Sequence, residues 1–158
     1  MDRIKAKIYK TFDEFFEDSH NLAEFIKNNT NSLADSEKIA YARKVYDETI
    51  LNSFIVIGQI SKEIKELLNC QKSELRFSMD NMIKNKLAHP EVSIDDYKKI
   101  SSIIKNPSKY YKSKSGYDVI LFKADEKFYK LVIKTTKNKK ENFVKSLHLL
   151  NADRYRKY

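Results

Sequence analysis

The sequence has no tryptophan, one cysteine, two glycines and two prolines in 158 residues, and each scarcity removes a class of function. Gly58 and Gly116 alone cannot build G-x-x-x-x-G-K-[ST] or G-x-G-x-x-G, so the glycine loops that cradle nucleotide phosphates are excluded. A lone Cys70 forms no internal disulfide and no Cys-rich zinc site, which leaves it the role of a small core residue. His20, His89 and His148 have no Cys or carboxylate cluster at zinc-ligand spacing, so no metal and no cofactor is expected. With so little glycine and proline there is little room for long flexible linkers. No apolar stretch approaches the roughly 18 residues of a membrane span, and no signal-peptide core opens the chain. The expectation is a soluble, cytoplasmic protein with no membrane partner.

What is present is a hydrophobic content of 41%, enough for a core, and a length that buries roughly two-thirds of the unfolded surface. The net charge is +9, and it is unevenly spread: residues 81–158 carry 19 Lys+Arg against 8 Asp+Glu, residues 1–80 carry 12 against 14. Phosphate contacts release condensed counterions and supply sequence-independent affinity, so an anionic partner is favoured, RNA above all. A lysine-rich surface with no partner accounts for the total charge equally well, but less well for its concentration in one half.

Ile4, Ile8, Phe12, Phe15, Phe16, Leu22, Phe25 and Ile26 recur mostly at steps of three and four and predict one or two amphipathic helices to about Lys27. After a break at residues 28–32, Ser32 with Asp35 resembles a capping pair, and Ile39, Ala42, Val45, Tyr46 and Thr49 trace a second helical face. Residues 1–50 therefore read as an all-helical N-terminal segment, and residues 51–158 as a second domain. There, residues 53–58 read as a buried strand ended by Gly58, residues 61–68 as a short helix and residues 75–77 as a short strand. Ser78 is placed to cap a helix to Ala88, which Pro90 stops at His89. Residues 93–96 look like a capping box opening a helix to Ile104, ended by Asn106 and Pro107. Residues 117–122 and 128–135 read as an antiparallel hairpin, and a basic turn over 137–142 leads to a last strand, 143–149. Helices first and an antiparallel sheet last make the fold class α+β.

Chemistry concentrates at two places. Lys86 and His89, at i and i+3 on a helix end, are positioned for one ligand: a protonated imidazole donates a proton, and an ammonium stabilises charge on phosphate oxygens. In the last strand Ser146 and His148 alternate with Leu147 and Leu149, and Lys134 and Thr136 share a face of the preceding strand. Read from the residues alone, the first pair is more often a solvated helix end and the second group more often an ordinary polar sheet face. Lys84, Lys137, Lys139, Lys140 and Lys145 are candidate RNA contacts. Tyr110, Tyr111, Tyr117 and Tyr129 are candidate base-stacking residues, although tyrosine in strands more often packs.

The order of short motifs resembles the phage-associated branch of the barnase, EndoU, colicin and RelE-like (BECR-fold) nucleases. The resemblance spans about 105 residues. It rests on residues 55–60 (IVIGQI), 75–81 (LRFSMDN), the Lys86-x-x-His89-Pro-Glu91 run, 103–107 (IIKNP), 133–136 (IKTT) and 146–148 (SLH). The Lys86–His89 pair is similar to the paired Lys and His of the colicin D-like group. The resemblance implies a nuclease-like second domain and a metal-independent, toxin-like endoribonuclease. Its substrate would be RNA, with tRNA as one candidate, and a cognate inhibitor protein would be a further partner. Cleavage would use the substrate's own 2′-OH and leave a 2′,3′-cyclic phosphate. The catalytic set would be Lys86, His89, Lys134, Thr136, Ser146 and His148. Two alternatives stand beside it: a non-catalytic RNA- or DNA-binding module, and a phage structural or interaction protein that retains the fold. The apolar stripes of the N-terminal helices need a surface to cover them, either the second domain or another copy of the chain in a homodimer.

Overall fold

The computed structural model describes residues 7–29, 34, 37, 40 and 51–158. Ser32, Asp35 and the residues that trace the second helical face, Ile39, Ala42, Val45, Tyr46 and Thr49, lie outside the described residues. The chain is α+β: α1 (Phe12–Asn29), α2 (Lys62–Leu68), α3 (Met79–Ala88), α4 (Ile94–Lys98), α5 (Ile100–Lys105) and α6 (Ala152–Arg156) accompany a mixed seven-stranded sheet. The strands are β1 (Ile8–Tyr9), β2 (Phe54–Gln59), β3 (Glu74–Ser78), β4 (Lys109–Lys112), β5 (Asp118–Ala124), β6 (Phe128–Thr135) and β7 (Asn142–Leu150), in the order β1-β2-β3-β7-β6-β5-β4. Among the described residues no helix is long and apolar enough to cross a membrane.

Two compact units are formed, one from residues up to Ile55 with Phe77–Pro90, the other from Val56–Arg76 with Glu91–Tyr158. In the first, α1 buries Phe15, Ala23 and Ile26 while α3 buries Met79, Met82 and Ile83, and the Phe15 ring meets Phe77 at 6.2 Å. Burial of such side chains, at roughly 1.5–3 kcal/mol each, holds a helix pair that neither helix would keep alone. The all-helical expectation for residues 1–50 is corrected here. Ile8 and Tyr9 form β1 and pair in parallel with Phe54 and Ile55, because the Lys7 carbonyl accepts from Phe54 N–H at 3.0 Å.

In the second unit the inner faces of β5, β6 and β7 bury Val119, Leu121, Leu131, Ile133, Val144 and Leu147. Ile64 and Leu68 of α2 and Ile100, Ile103 and Ile104 of the α4–α5 pair are fully buried as well, and both α2 and α5 contact β5. The sheet is mixed rather than purely antiparallel, since β7 pairs in parallel with β3, where the buried Asn142 amide donates to the carbonyls of Lys72 (2.8 Å) and Glu74 (3.3 Å). The predicted strand at residues 53–58 forms, but it continues through Gly58 to Gln59 and is not buried on both faces, Val56 being 40% exposed. Gly58 is there for closeness: a Cβ at that position would meet Ile104 Cδ1 at 2.7 Å. The Ser93–Asp96 capping box is present in both directions, and the helix it opens divides at Lys99 into α4 and α5.

Candidate nucleic-acid interface

Lys86 and His89 lie in the first unit, at the end of α3. Ser78 Oγ accepts from Asn81 N–H at 3.1 Å to start this helix, and His89, with its backbone N–H on the Asn85 carbonyl at 2.8 Å, is its last capped residue before Pro90. Lys86 is half-buried, with Nζ 3.9 Å from the centroid of the Phe16 ring on α1, and that ring is stacked on His20 at 6.4 Å. Burial lowers the Lys86 pKa below the usual lysine range, against the opposing charge of Glu24. The ammonium is thus part of the α1–α3 packing through a cation–π contact. Lys84, two residues earlier, pairs with Asp80 at 3.4 Å.

Lys134, Thr136, Ser146 and His148 lie in the second unit, and the β6–β7 register decides which of them share a face. Between Val132 and Ile133 the register shifts: Ile133 faces Val144 and Lys134 faces Phe143, yet Val132 faces Ser146 and Lys130 faces His148. Lys145 is the extra residue, a β-bulge. In a regular ladder strict alternation would set Lys145 opposite Val132 and turn Ser146 to the buried side. The bulge instead brings Ser146 and His148 onto the face that carries Lys130, Val132 and Lys134, while Leu131, Ile133, Val144 and Leu147 stay buried beneath. Opposed side chains on one face start about 4.5–5.5 Å apart at Cβ, so Ser146 is a neighbour of Val132 and a diagonal neighbour of both lysines.

Charge on this face is partly committed. Lys145 Nζ meets Asp118 Oδ2 at 3.0 Å, and Arg76, opposite Phe143, is held by Glu74 at 2.9 Å and Glu141 at 3.1 Å. Lys130 Nζ donates to the Tyr158 hydroxyl at 3.2 Å, and that hydrogen bond lowers the Tyr158 pKa. Lys130 escaped the sequence reading, although its i−4 spacing from Lys134 in one strand was the available signal.

Thr136 lies beyond β6, where its hydroxyl donates to Asn138 Oδ1 at 2.6 Å and accepts from Glu141 N–H at 3.3 Å. It shapes the basic turn. Lys139, in that turn at φ 62°, reaches back to the Leu68 carbonyl at 3.3 Å and lies 4.6 Å over the Tyr117 ring. Lys137 and Lys140 are exposed. Of the four tyrosines, Tyr129 is a packing residue whose hydroxyl donates to buried Asp96 at 2.7 Å, whereas Tyr110, Tyr111 and Tyr117 are 41%, 41% and 47% exposed.

Compared with known proteins, the chain matches no family model, no curated protein and no solved structure.

Proposed function

We propose that this chain is a metal-independent endoribonuclease that binds RNA on the solvent-facing side of β6 and β7. The observation carrying this reading is the bulge at Lys145, which gathers a proton-transfer group, a hydroxyl and two cations, His148, Ser146, Lys130 and Lys134, on one face. In the reaction the substrate's 2′-oxygen loses its proton and bonds to the adjacent phosphorus. The bond to the 5′-oxygen breaks, and that oxygen takes up a proton, leaving a 2′,3′-cyclic phosphate and a 5′-OH. His148 transfers a proton, Lys130 and Lys134 neutralise charge gathering on the non-bridging oxygens, and Ser146 donates a hydrogen bond to one of them. Lys86 and His89 keep the roles implied by the resemblance as a separately testable part of the proposal.

A second reading, a non-catalytic RNA-binding module, is favoured by one specific observation: the Lys86 ammonium is engaged over Phe16 and half-buried, as a packing cation would be. Single-turnover incubation with RNA separates the two. The nuclease reading expects His148→Ala to slow cleavage by about 10²- to 10⁴-fold with RNA affinity retained. Salt-sensitive RNA retention by the wild type without any cleavage would establish the binder and sink the enzyme.

A further inference from the structure

Tyr111 stands at one end of a continuous row across the same sheet face. It faces Ile120 on β5, Ile120 faces Val132 on β6, and Val132 faces Ser146 on β7. Its ring is stacked on Phe122 at 5.8 Å and 28°, and Phe122 is fully buried, in ring contact with Tyr158 at 4.7 Å and Tyr155 at 6.2 Å. One face of the ring is therefore packed against Phe122, its diagonal neighbour on the same sheet face, while the residue stays 41% exposed. Lys109 and Lys130 flank the row through the neighbouring positions opposite Phe122, and Lys134 flanks it on the other side.

We propose that Tyr111 is a base-stacking platform and that the RNA this face takes is an unpaired strand, an inference that rests on the RNA reading above. Three interstrand spacings of about 4.8 Å put Tyr111 about 14 Å from Ser146. At roughly 3.4 Å per nucleotide for a stacked strand, and more for a splayed one, that is at most about four nucleotides, so a strand whose phosphate meets Ser146 lays a base a few nucleotides away on the tyrosine. The half-buried Ile120 and Val132 form an apolar floor between them. A duplex keeps its bases inside its own stack and offers none to such a ring, whereas an unpaired strand splays them onto aromatic side chains.

Fluorescence anisotropy with a short 2′-O-methyl oligonucleotide, unpaired or annealed to its complement, tests this without interference from cleavage. The unpaired strand should bind more tightly than the duplex. Tyr111→Ala and Tyr111→Leu, the latter keeping apolar cover on Phe122, should each weaken it by about 5- to 150-fold. Tyr111→Phe and Tyr110→Ala, the latter on the opposite face of β4, should stay within about twofold. Unchanged affinity in Tyr111→Ala and Tyr111→Leu, or equal affinity for the duplex, overturns the platform and leaves cleavage, read on unmodified RNA, standing. Absence of binding to either oligonucleotide also overturns it, and cleavage of unmodified RNA by the same sample then decides whether the nuclease reading falls with it.

Discussion

Replacing Lys86 by methionine separates packing from chemistry at the end of α3. The ammonium sits 3.9 Å from the Phe16 centroid, a partly desolvated cation–π contact worth about 1 kcal/mol. A methionine sulfur against the same ring returns about 0.3–1.5 kcal/mol, so at neutral pH the Lys86→Met protein should unfold within about 1 kcal/mol of wild type. The pH dependence carries a sharper signature. Burial lowers the Lys86 pKa, so there is an alkaline window, between the lowered folded value and the unfolded one near 10.5, in which the unfolded chain holds a proton that the folded chain has released. The Lys86 contribution to stability rises with pH across that window, and below it the cost of burying the ammonium is constant. Tyr9 and Tyr129, held protonated by burial and their carboxylate partners, lower alkaline stability in wild type and variant alike. Lys86→Met removes the Lys86 rise. Urea unfolding at neutral pH and through the alkaline range measures both quantities, and a single-turnover cleavage assay on the same samples reads function. A stability loss above about 2 kcal/mol, or a variant whose alkaline stability profile runs parallel to that of the wild type, would refute the reasoning. A cleavage defect without a stability defect is what the proposed charge-stabilising role requires.

Asp96 is 1% exposed and takes hydrogen bonds from Ser93 N–H (2.9 Å), Ser93 Oγ (3.0 Å), Lys127 Nζ (3.0 Å) and Tyr129 OH (2.7 Å). Asp96→Asn should therefore cost about 3 kcal/mol in urea unfolding. Burial alone would raise the Asp96 pKa, but the hydrogen bonds outweigh it and hold the carboxyl below its usual range. Its contribution is present above the unfolded value and is lost as pH falls through the folded one, so the wild type should show an acid loss of stability that the Asn variant lacks. Neutralising Lys137 and Lys140 should flatten the salt dependence of RNA binding by a log–log slope of about 1.4, if both touch phosphates of a single strand. Lys139→Met should instead lower stability by about 1 kcal/mol, through the lost bond to the Leu68 carbonyl.

Local signals in the sequence were strong where one side chain sets one backbone event. Ser78 and Ser93 cap the helices they were expected to cap, with Oγ accepting from Asn81 and Asp96 N–H, and Ser61 does the same for α2 through Ile64 N–H, a cap the sequence reading did not name. The β5–β6 hairpin and the alternation of Ser146 and His148 with Leu147 were equally legible, because period-two patterning reflects a half-buried strand. Other elements depend on distant partners. Ile8 fits the spacing of the α1 stripe, yet its strand exists only by pairing with Phe54. Lys109–Lys112 carries no alternation and becomes β4 through β5, and the five residues of α6 are too few to show a helical period. The bulge at Lys145 is a property of two strands together, so no reading of β7 alone reveals which face Ser146 shares with Lys134. Thr136 looked like a face-mate of Lys134 by spacing, but β6 ends at Thr135 and the turn takes its hydroxyl.

The most direct test of the central claim is end-group analysis of RNA cut by the purified wild-type chain in the presence of a metal chelator. The account predicts 2′,3′-cyclic phosphate and 5′-OH ends on RNA, no cutting of DNA or of 2′-O-methyl RNA, and loss of the cyclic ends in His148→Ala. Intact RNA after prolonged incubation, cleavage of DNA at a comparable rate, or undiminished cyclic-phosphate formation by His148→Ala would contradict it.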